Sequence, residues 1–323
     1  MFENIFTTVT SYVNAILAIL GNTLLIILIL RKSPRSMGRY KYLMLIFSTF
    51  GIIFAIVDGT NQPMLHIHNG GYIIFTRNLL GLPRKVSFWY ITLNCACYGM
   101  ILLLLVFHFL YRYLALCKPH RLKLFSYPYF NILIVVFFVV SLEWWVAGIY
   151  IAGENVDVEN HFRKTLLENY GLNRLDYTYA STLFYVSVFL IIVYFWLKIK
   201  SKMTKSALES QVISQRTLDM QRQLFLSLKT QTLLPVFFMF IPAGILLCFT
   251  LFELEMGPIE VVILPIITTQ PFIDAIVPMY FIKDYRMAIL EFLRRKKTNR
   301  EIHTSSSQPD VRSANCRVFI KRT

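Results

Sequence analysis

Charge is scarce in this sequence, and acid is scarcer still. Of 323 residues, 16% are Asp, Glu, Lys or Arg and 56% are hydrophobic, where soluble chains carry about 25% charge and about 45–50% apolar residues. Lys and Arg number 33 against 18 acids. The missing charge is concentrated in long uncharged windows, which excludes a string of ordinary soluble domains. Cysteine is also sparse. Cys95, Cys97, Cys117, Cys248 and Cys316 include none in the stretch 152–175, and Cys95-x-Cys97 is too close-set for zinc ligation. Neither a disulfide framework nor a metal centre is expected. The chain has no Asn-x-Ser/Thr sequon. No Lys or Arg stands in residues 1–11, so the start lacks the positive n-region of a signal peptide. No internal repeat is present, so the inverted-repeat signature of many transporters is missing.

What is present is a series of seven apolar windows, roughly 12–30, 42–62, 88–111, 128–151, 176–197, 231–252 and 258–282. A bilayer helix needs ~20 mostly apolar residues, because unpaired backbone groups are not tolerated in hydrocarbon. The acids inside these windows are isolated: Asp58, Glu143, Asp176 at an edge, Glu260 near an end, and Asp274. The last window reads VVILPIITTQPFIDAIVPMYFI. Its three prolines are compatible with a transmembrane helix whose neighbours satisfy the freed carbonyls, which keeps the count at seven instead of six. The fold class read from this pattern is an all-α membrane protein, a seven-transmembrane helix bundle.

Charge placement sets the expected orientation. Of the Lys and Arg residues, 27 lie in 31–41, 112–123, 198–229 and 283–323, and 6 lie on the opposite side. The positive-inside rule puts the N-terminus outside and the C-terminus in the cytoplasm. The expected organisation is a short extracellular N-terminus at 1–11, a transmembrane domain at 12–282, an amphipathic juxtamembrane helix at 283–298 and a disordered cytoplasmic tail at 299–323. In the juxtamembrane segment Tyr285, Ile289 and Phe292 share a face and Arg294 to Lys297 follow, a pattern suited to anionic inner-leaflet lipid. Nucleic acid is excluded as a partner, since the basic residues flank bilayer helices and form no stacking platform.

One stretch, FHFLYRYLALCKP at 107–119, stands out. Arg112 lies between Tyr111 and Tyr113 at the cytoplasmic end of the third window, with His108 one turn earlier on the same face. A lone arginine there is usually a snorkelling anchor; this aromatic setting points to a switch. Pro242 sits mid-window in the sixth segment and Pro278 in the seventh, where each removes a backbone bond and can act as a hinge. Asp274 is an intramembrane acid expected to face the interior. For a small-molecule pocket in the outer half, the candidate polar groups are Asn94, Glu143, Tyr179 and Gln270, with Trp144 or Trp145 as walls. Glu143 leads because a charge in lipid requires a partner. His66 and His68 read as a solvated pair. No cofactor is implied.

Seven windows with Tyr-Arg-Tyr closing the third resemble a G-protein-coupled receptor. The blocks GNTLLIILIL at 21–30, GRYKYLMLIFSTF at 38–50, FHFLYRYLAL at 107–116, QRQLFLSLKTQTLLPVFFMFIPAGIL at 221–246 and DAIVPMYFIKDYR at 274–286 are similar to the nematode serpentine receptor class r (Str) chemoreceptors. That resemblance implies a plasma-membrane receptor, in the ciliary membrane of sensory neurons, that binds an odorant or other small molecule and activates a heterotrimeric G protein; pairing of two receptors stays open. It assigns coupling or switch roles to His108, Tyr111, Arg112, Tyr113, Pro242, Asp274, Pro278 and Tyr280. Two departures from the rhodopsin-like pattern matter. Tyr111 stands where an acid precedes the arginine, and Ala275 follows Asp274 where proline is expected. An enzyme is not expected: no paired acids or nucleophile motif lie at membrane depth, and no lysine precedes Lys283 in the seventh window for a retinal. The competing reading is a seven-helix channel or transporter, which would need lines of intramembrane charge or repeated broken helices.

Overall fold

A computed structural model describes residues 2–34, 37–69, 71–77, 81–151, 155–173, 176–180, 215–254, 257 and 260–306. In chain order these form α1 (Phe2–Lys32), α2 (Tyr40–Asn61), β1 (Met64–His68), β2 (Gly71–Arg77), α3 (Arg84–Cys117), a 3-10 segment (Pro119–Phe125), α4 (Tyr129–Ile151), α5 (Val156–Tyr170) and β3 (Tyr177–Ala180). Then follow α6 (Gln215–Pro235), a π-helical turn (Val236–Phe240), α7 (Ile241–Leu251), α8 (Glu260–Thr268), α9 (Gln270–Phe281) and α10 (Lys283–Ser306). Among the described residues, 5 spans are long and apolar enough to cross a membrane: Ile5–Lys32, Tyr40–Asn61, Arg84–Ala115, Tyr129–Tyr150 and Val261–Phe281. The sixth window is the rod made by the end of α6, the π turn and α7. Most of the fifth window lies outside the described residues.

α1 is the spine. It packs along α2 on one side and against α8 and α9 on the other. The approach of α1 to α2 depends on glycine. A Cβ at Gly59 would lie 2.7 Å from the Ala15 Cβ, and one at Gly51 would lie 3.0 Å from the Asn22 side chain, so larger residues there would force the helices apart. α1 starts at Phe2, not near residue 12 as hydropathy suggests. Its polar first turns are satisfied within the helix and across to the end of α2: the Thr10 hydroxyl donates to the Phe6 carbonyl at 2.8 Å, and the Thr8 hydroxyl donates to Gln62 Oε1 at 3.2 Å.

Prolines shape the later helices. Pro242 lacks the N–H that Phe238 would accept and its ring crowds that carbonyl. The π turn Val236–Phe240 immediately precedes it, widening the helix where the ladder is broken. Between α8 and α9, the Pro265 carbonyl is taken over by side chains: Asn14 Nδ2 at 3.0 Å, the Thr268 hydroxyl at 3.2 Å and the Thr269 hydroxyl at 2.8 Å.

Two expected loops instead form a lid. β1, β2 and β3 make an antiparallel sheet in that order, with Met64 opposite Phe75 and Phe75 opposite Tyr179. Alternating residues serve opposite faces. Leu65, Ile67 and Ile74 join Ile91 of α3 and Ile263, Leu264 and Ile267 of α8 in a core against the bundle. Met64, Ile73 and Phe75 pack on Phe162, Leu166 and Tyr170 of α5. The segment expected to start the fifth membrane helix, Tyr177–Ala180, is therefore a strand of this lid. α10 also departs from expectation. With no Pro or Gly to stop it, it runs to Ser306, and Tyr285 is fully buried against the bundle while Phe292 is 67% exposed.

Candidate functional site

Arg112 lies near the C-terminal end of α3 and is 2% exposed, so it does not snorkel. Its guanidinium carbon sits 4.3 Å from the centroid of the Tyr40 ring at the start of α2. A side-chain hydrogen bond also joins the Tyr40 hydroxyl to Arg112. α3 contains no acid, and the single acid of α2, Asp58, stands at the far end of that helix. A desolvated cation over an aromatic face is stabilised by the ring quadrupole.

The rings around this pair are continuous. Tyr40 lies 5.3 Å from Tyr111 and 5.4 Å from His108, and His108 lies 5.1 Å from Phe47, all between ring centroids. Tyr111 is buried, its hydroxyl facing the backbone of Arg39 and Tyr40 and its ring meeting Phe125 edge-on at 5.0 Å. Tyr113 packs half-buried against the same core. Tyr285 of α10 closes the cluster: its hydroxyl pairs with the Ser33 hydroxyl at 2.7 Å and reaches Met37 Sδ at 3.6 Å. Burial pushes the Tyr285 phenol up to about 12, and the Ser33 hydrogen bond acts in the opposite direction. Thus His108, Tyr111, Arg112 and Tyr113 come together, and the structure adds Tyr40 and Tyr285. Neither carries a motif, because each reaches Arg112 or its neighbours only through tertiary packing.

A second set joins α6 to α9. Pro278 deprives the Asp274 carbonyl of its helical donor, and Gln231 Nε2 donates to that carbonyl at 3.3 Å. Gln223, two turns earlier on α6, accepts from the Lys283 backbone N–H at 3.0 Å where α9 breaks into α10. Asp274 is 3% exposed and its Oδ2 accepts from Gln270 Nε2 at 3.4 Å. Pro278 and Pro242 are both buried. Tyr280 does not join: it is 61% exposed, two residues beyond Pro278 and on the outward side of α9.

The candidate pocket residues separate. Asn94 is 1% exposed and donates to Asp58 Oδ1 at 3.2 Å, an oxygen that also accepts from the Tyr98 hydroxyl at 3.4 Å. Gln270 belongs to Asp274. Tyr179 is part of the lid; its hydroxyl donates to the Asn155 carbonyl and accepts from the Asn155 N–H, both at 2.8 Å. Glu143 is exposed. α4 buries Phe137, Ser141 and Gly148 as its inward stripe, and Glu143, two positions past Ser141, is turned about 200° away. Trp144 is half-buried, and Trp145 Nε1 reaches Thr92 Oγ1 of α3 at 3.1 Å. Only Asn94 marks a polar centre beneath the lid, and its partner Asp58 is the residue the pocket expectation missed. His66 and His68 lie in β1 with stacked rings 6.5 Å apart, and His66 Nε2 pairs with the Thr165 hydroxyl at 3.0 Å. Among the described residues no group of three His, Cys, Asp or Glu could hold a metal.

Similarity to other proteins agrees with this architecture. The chain is 26% identical over 307 residues to serpentine receptor class r-10 of Caenorhabditis elegans, covering 88% of this chain and 90% of that protein. It is 25% identical over 302 residues to serpentine receptor class r-10 of Caenorhabditis briggsae, covering 85% and 87%. With the G-protein coupled receptor str-217 of Caenorhabditis elegans it shares 24% identity over 316 residues, 90% of each chain. The profile of the serpentine type 7TM GPCR chemoreceptor Str matches residues 7–188 and 182–290. The chain belongs to that family of serpentine seven-transmembrane chemoreceptors.

Proposed function

We propose that this protein is a chemosensory receptor that binds an environmental small molecule at its outer end and activates a heterotrimeric G protein at its inner end. The observation that carries the reading is the burial of Arg112 against Tyr40. An anchoring arginine would reach for water; this one is held in the bundle by contacts that a conformational change can break. In this reading the Tyr40 face takes the part of the acid that Tyr111 replaces. The N-terminus is outside, the C-terminus is cytoplasmic, and the receptor sits in the plasma membrane of sensory cells, at the cilium.

Ligand binding shifts the population toward a state in which the inner half of α6 moves away from α9. Gln223 and Gln231 hold α6 to α9 and α10 in the state described, and the π turn before Pro242 is the place where the rod bends. The ligand site lies beneath the lid. Leu65, Ile67 and Ile74 form its roof, Ile263, Leu264 and Ile267 a wall, and Asp58 with Asn94 and Tyr98 the polar point that orients the ligand.

The test is an odorant panel on cells expressing the chain with a promiscuous Gα. An active ligand should lose its response with Arg112→Ala at unchanged surface expression, and should change its rank among ligands with Asp58→Asn. A response that persists with Arg112→Ala refutes the switch. A ligand-gated current in lipid bilayers without G protein would favour the channel reading.

A further inference from the structure

A groove of about 430 Å³ opens on the outside of the bundle between α2, the 3-10 segment and the start of α4. It lies beside the Arg112 cluster but is not part of it. One end is polar: Arg39, which donates to the Ser126 hydroxyl, with Asn131 and the 83% exposed Tyr127. The other end is apolar, lined by Leu45, Ile46 and Phe130. Leu45 and Ile46 stand six and seven residues along α2 from Arg39, about 10 Å at the helical rise.

The charge on the described residues that line and edge the groove is of one sign. Lys41 is held at its edge, with Nζ 5.1 Å from the centroid of the Tyr42 ring that lines it. No acid occurs in the first turn of α2, in the first turn of α4 or in the 3-10 segment. A ligand that fits must carry an anion at one end and hydrocarbon about 10 Å away, and must arrive from the membrane side.

We propose that this groove binds one anionic phospholipid of the inner leaflet, its phosphate at Arg39 and Lys41 and the first part of an acyl chain along Leu45 and Ile46. The assignment to the inner leaflet rests on the cytoplasmic placement of this end given above. Phe125 lines the groove and meets Tyr111 edge-on at 5.0 Å, so a lipid seated there supports the ring next to Arg112. Lipid and G protein therefore influence each other's affinity reciprocally.

The experiment is a native mass spectrometry titration of the purified full-length receptor in neutral detergent. The probes are phosphatidylserine, phosphatidylcholine and soluble glycerophosphoserine. Phosphatidylserine should bind more tightly than phosphatidylcholine, and Arg39→Gln should weaken it about fivefold, as expected for ~1 kcal/mol per basic side chain near an anionic surface. Leu45→Trp, which fills the groove and keeps the charge, should weaken both lipids, whereas Arg294→Gln should leave the tightest site unchanged. Equal binding by wild type and Arg39→Gln overturns the proposal. So does equal affinity for phosphatidylcholine, or glycerophosphoserine competing as well as the lipid, which would mark a simple anion site. Detergent has no sidedness, so failure here is separable from failure of the orientation, which protease access to a C-terminal tag in sealed vesicles reads independently.

Discussion

The guanidinium carbon of Arg112 and the ring of Tyr40 are 4.3 Å apart, and both side chains are buried. A desolvated cation over an aromatic ring is stabilised by about 2 kcal/mol. Tyr40→Leu should therefore lower the melting temperature of the detergent-solubilised receptor. Arg112→Met added to Tyr40→Leu should restore part of the loss, because it removes the cation that the ring stabilised. Coupling of about 2 kcal/mol is expected for a desolvated cation and ring. Additive melting temperatures across the four proteins would show that the two do not interact.

The Gln231 bond to the Asp274 carbonyl exists because Pro278 cannot supply a donor. Interhelical hydrogen bonds of this kind are worth about 0.6–2 kcal/mol. Gln231→Leu should raise basal nucleotide exchange on a reconstituted G protein about threefold or more by loosening α6 from α9. Pro278→Ala returns an N–H to the Asp274 carbonyl, so Gln231→Leu should have little further effect in that background. Equal effects in both backgrounds would mean that the bond does not restrain α6.

One hydroxyl clasps β3 to the start of α5. Tyr179 makes two hydrogen bonds of 2.8 Å to the backbone of the exposed Asn155, and losing them costs about 0.5–1.5 kcal/mol. Tyr179→Phe should speed hydrogen exchange of the β2 and β3 amides about tenfold while α1 and α2 keep their protection. Unchanged exchange in the sheet would contradict the clasp.

Tyr285 predicts an alkaline limit. Its phenol is raised from 10.0 to about 12 by burial, so the fold favours the neutral form. The stability this gives is complete below pH ~10 and is lost as the pH rises toward about 12. Tyr285→Phe should flatten the fall in melting temperature across that interval. An identical pH profile would show that the phenol is not buried against Ser33.

The bundle was legible because bilayer helices announce themselves by length and apolarity, and Arg112 because tyrosines flank it on both sides and His108 stands one turn earlier. The lid was not. Its strands are 4 to 7 residues long, and the aromatic run at Tyr177–Ala180 reads equally well as the start of a membrane helix. A signal did exist: Met64-Leu65-His66-Ile67-His68 alternates in which face it buries, and the dipeptide Asn69-Gly70 that follows is a sequence signal for a hairpin. Glu143 misled because the rule that a membrane charge seeks the interior does not say which side of α4 faces inward, and that helix is apolar all round. Tyr280 was picked by analogy to a motif whose proline is shifted here, which rotates the tyrosine to the outside of α9. Tyr40 was invisible because it follows a basic loop and meets Arg112 across 72 positions of chain.

The central claim is that the aromatic face of Tyr40 restrains Arg112. Basal nucleotide exchange on a G protein reconstituted with the receptor in nanodiscs tests it most directly. Tyr40→Phe keeps the face and loses only the hydroxyl's hydrogen bond, so its rate should rise little, whereas Tyr40→Leu removes both and should raise the rate severalfold, with Arg112→Ala abolishing the gain. If Tyr40→Leu and Tyr40→Phe give the same rate, the ring does not hold the arginine and the account is wrong.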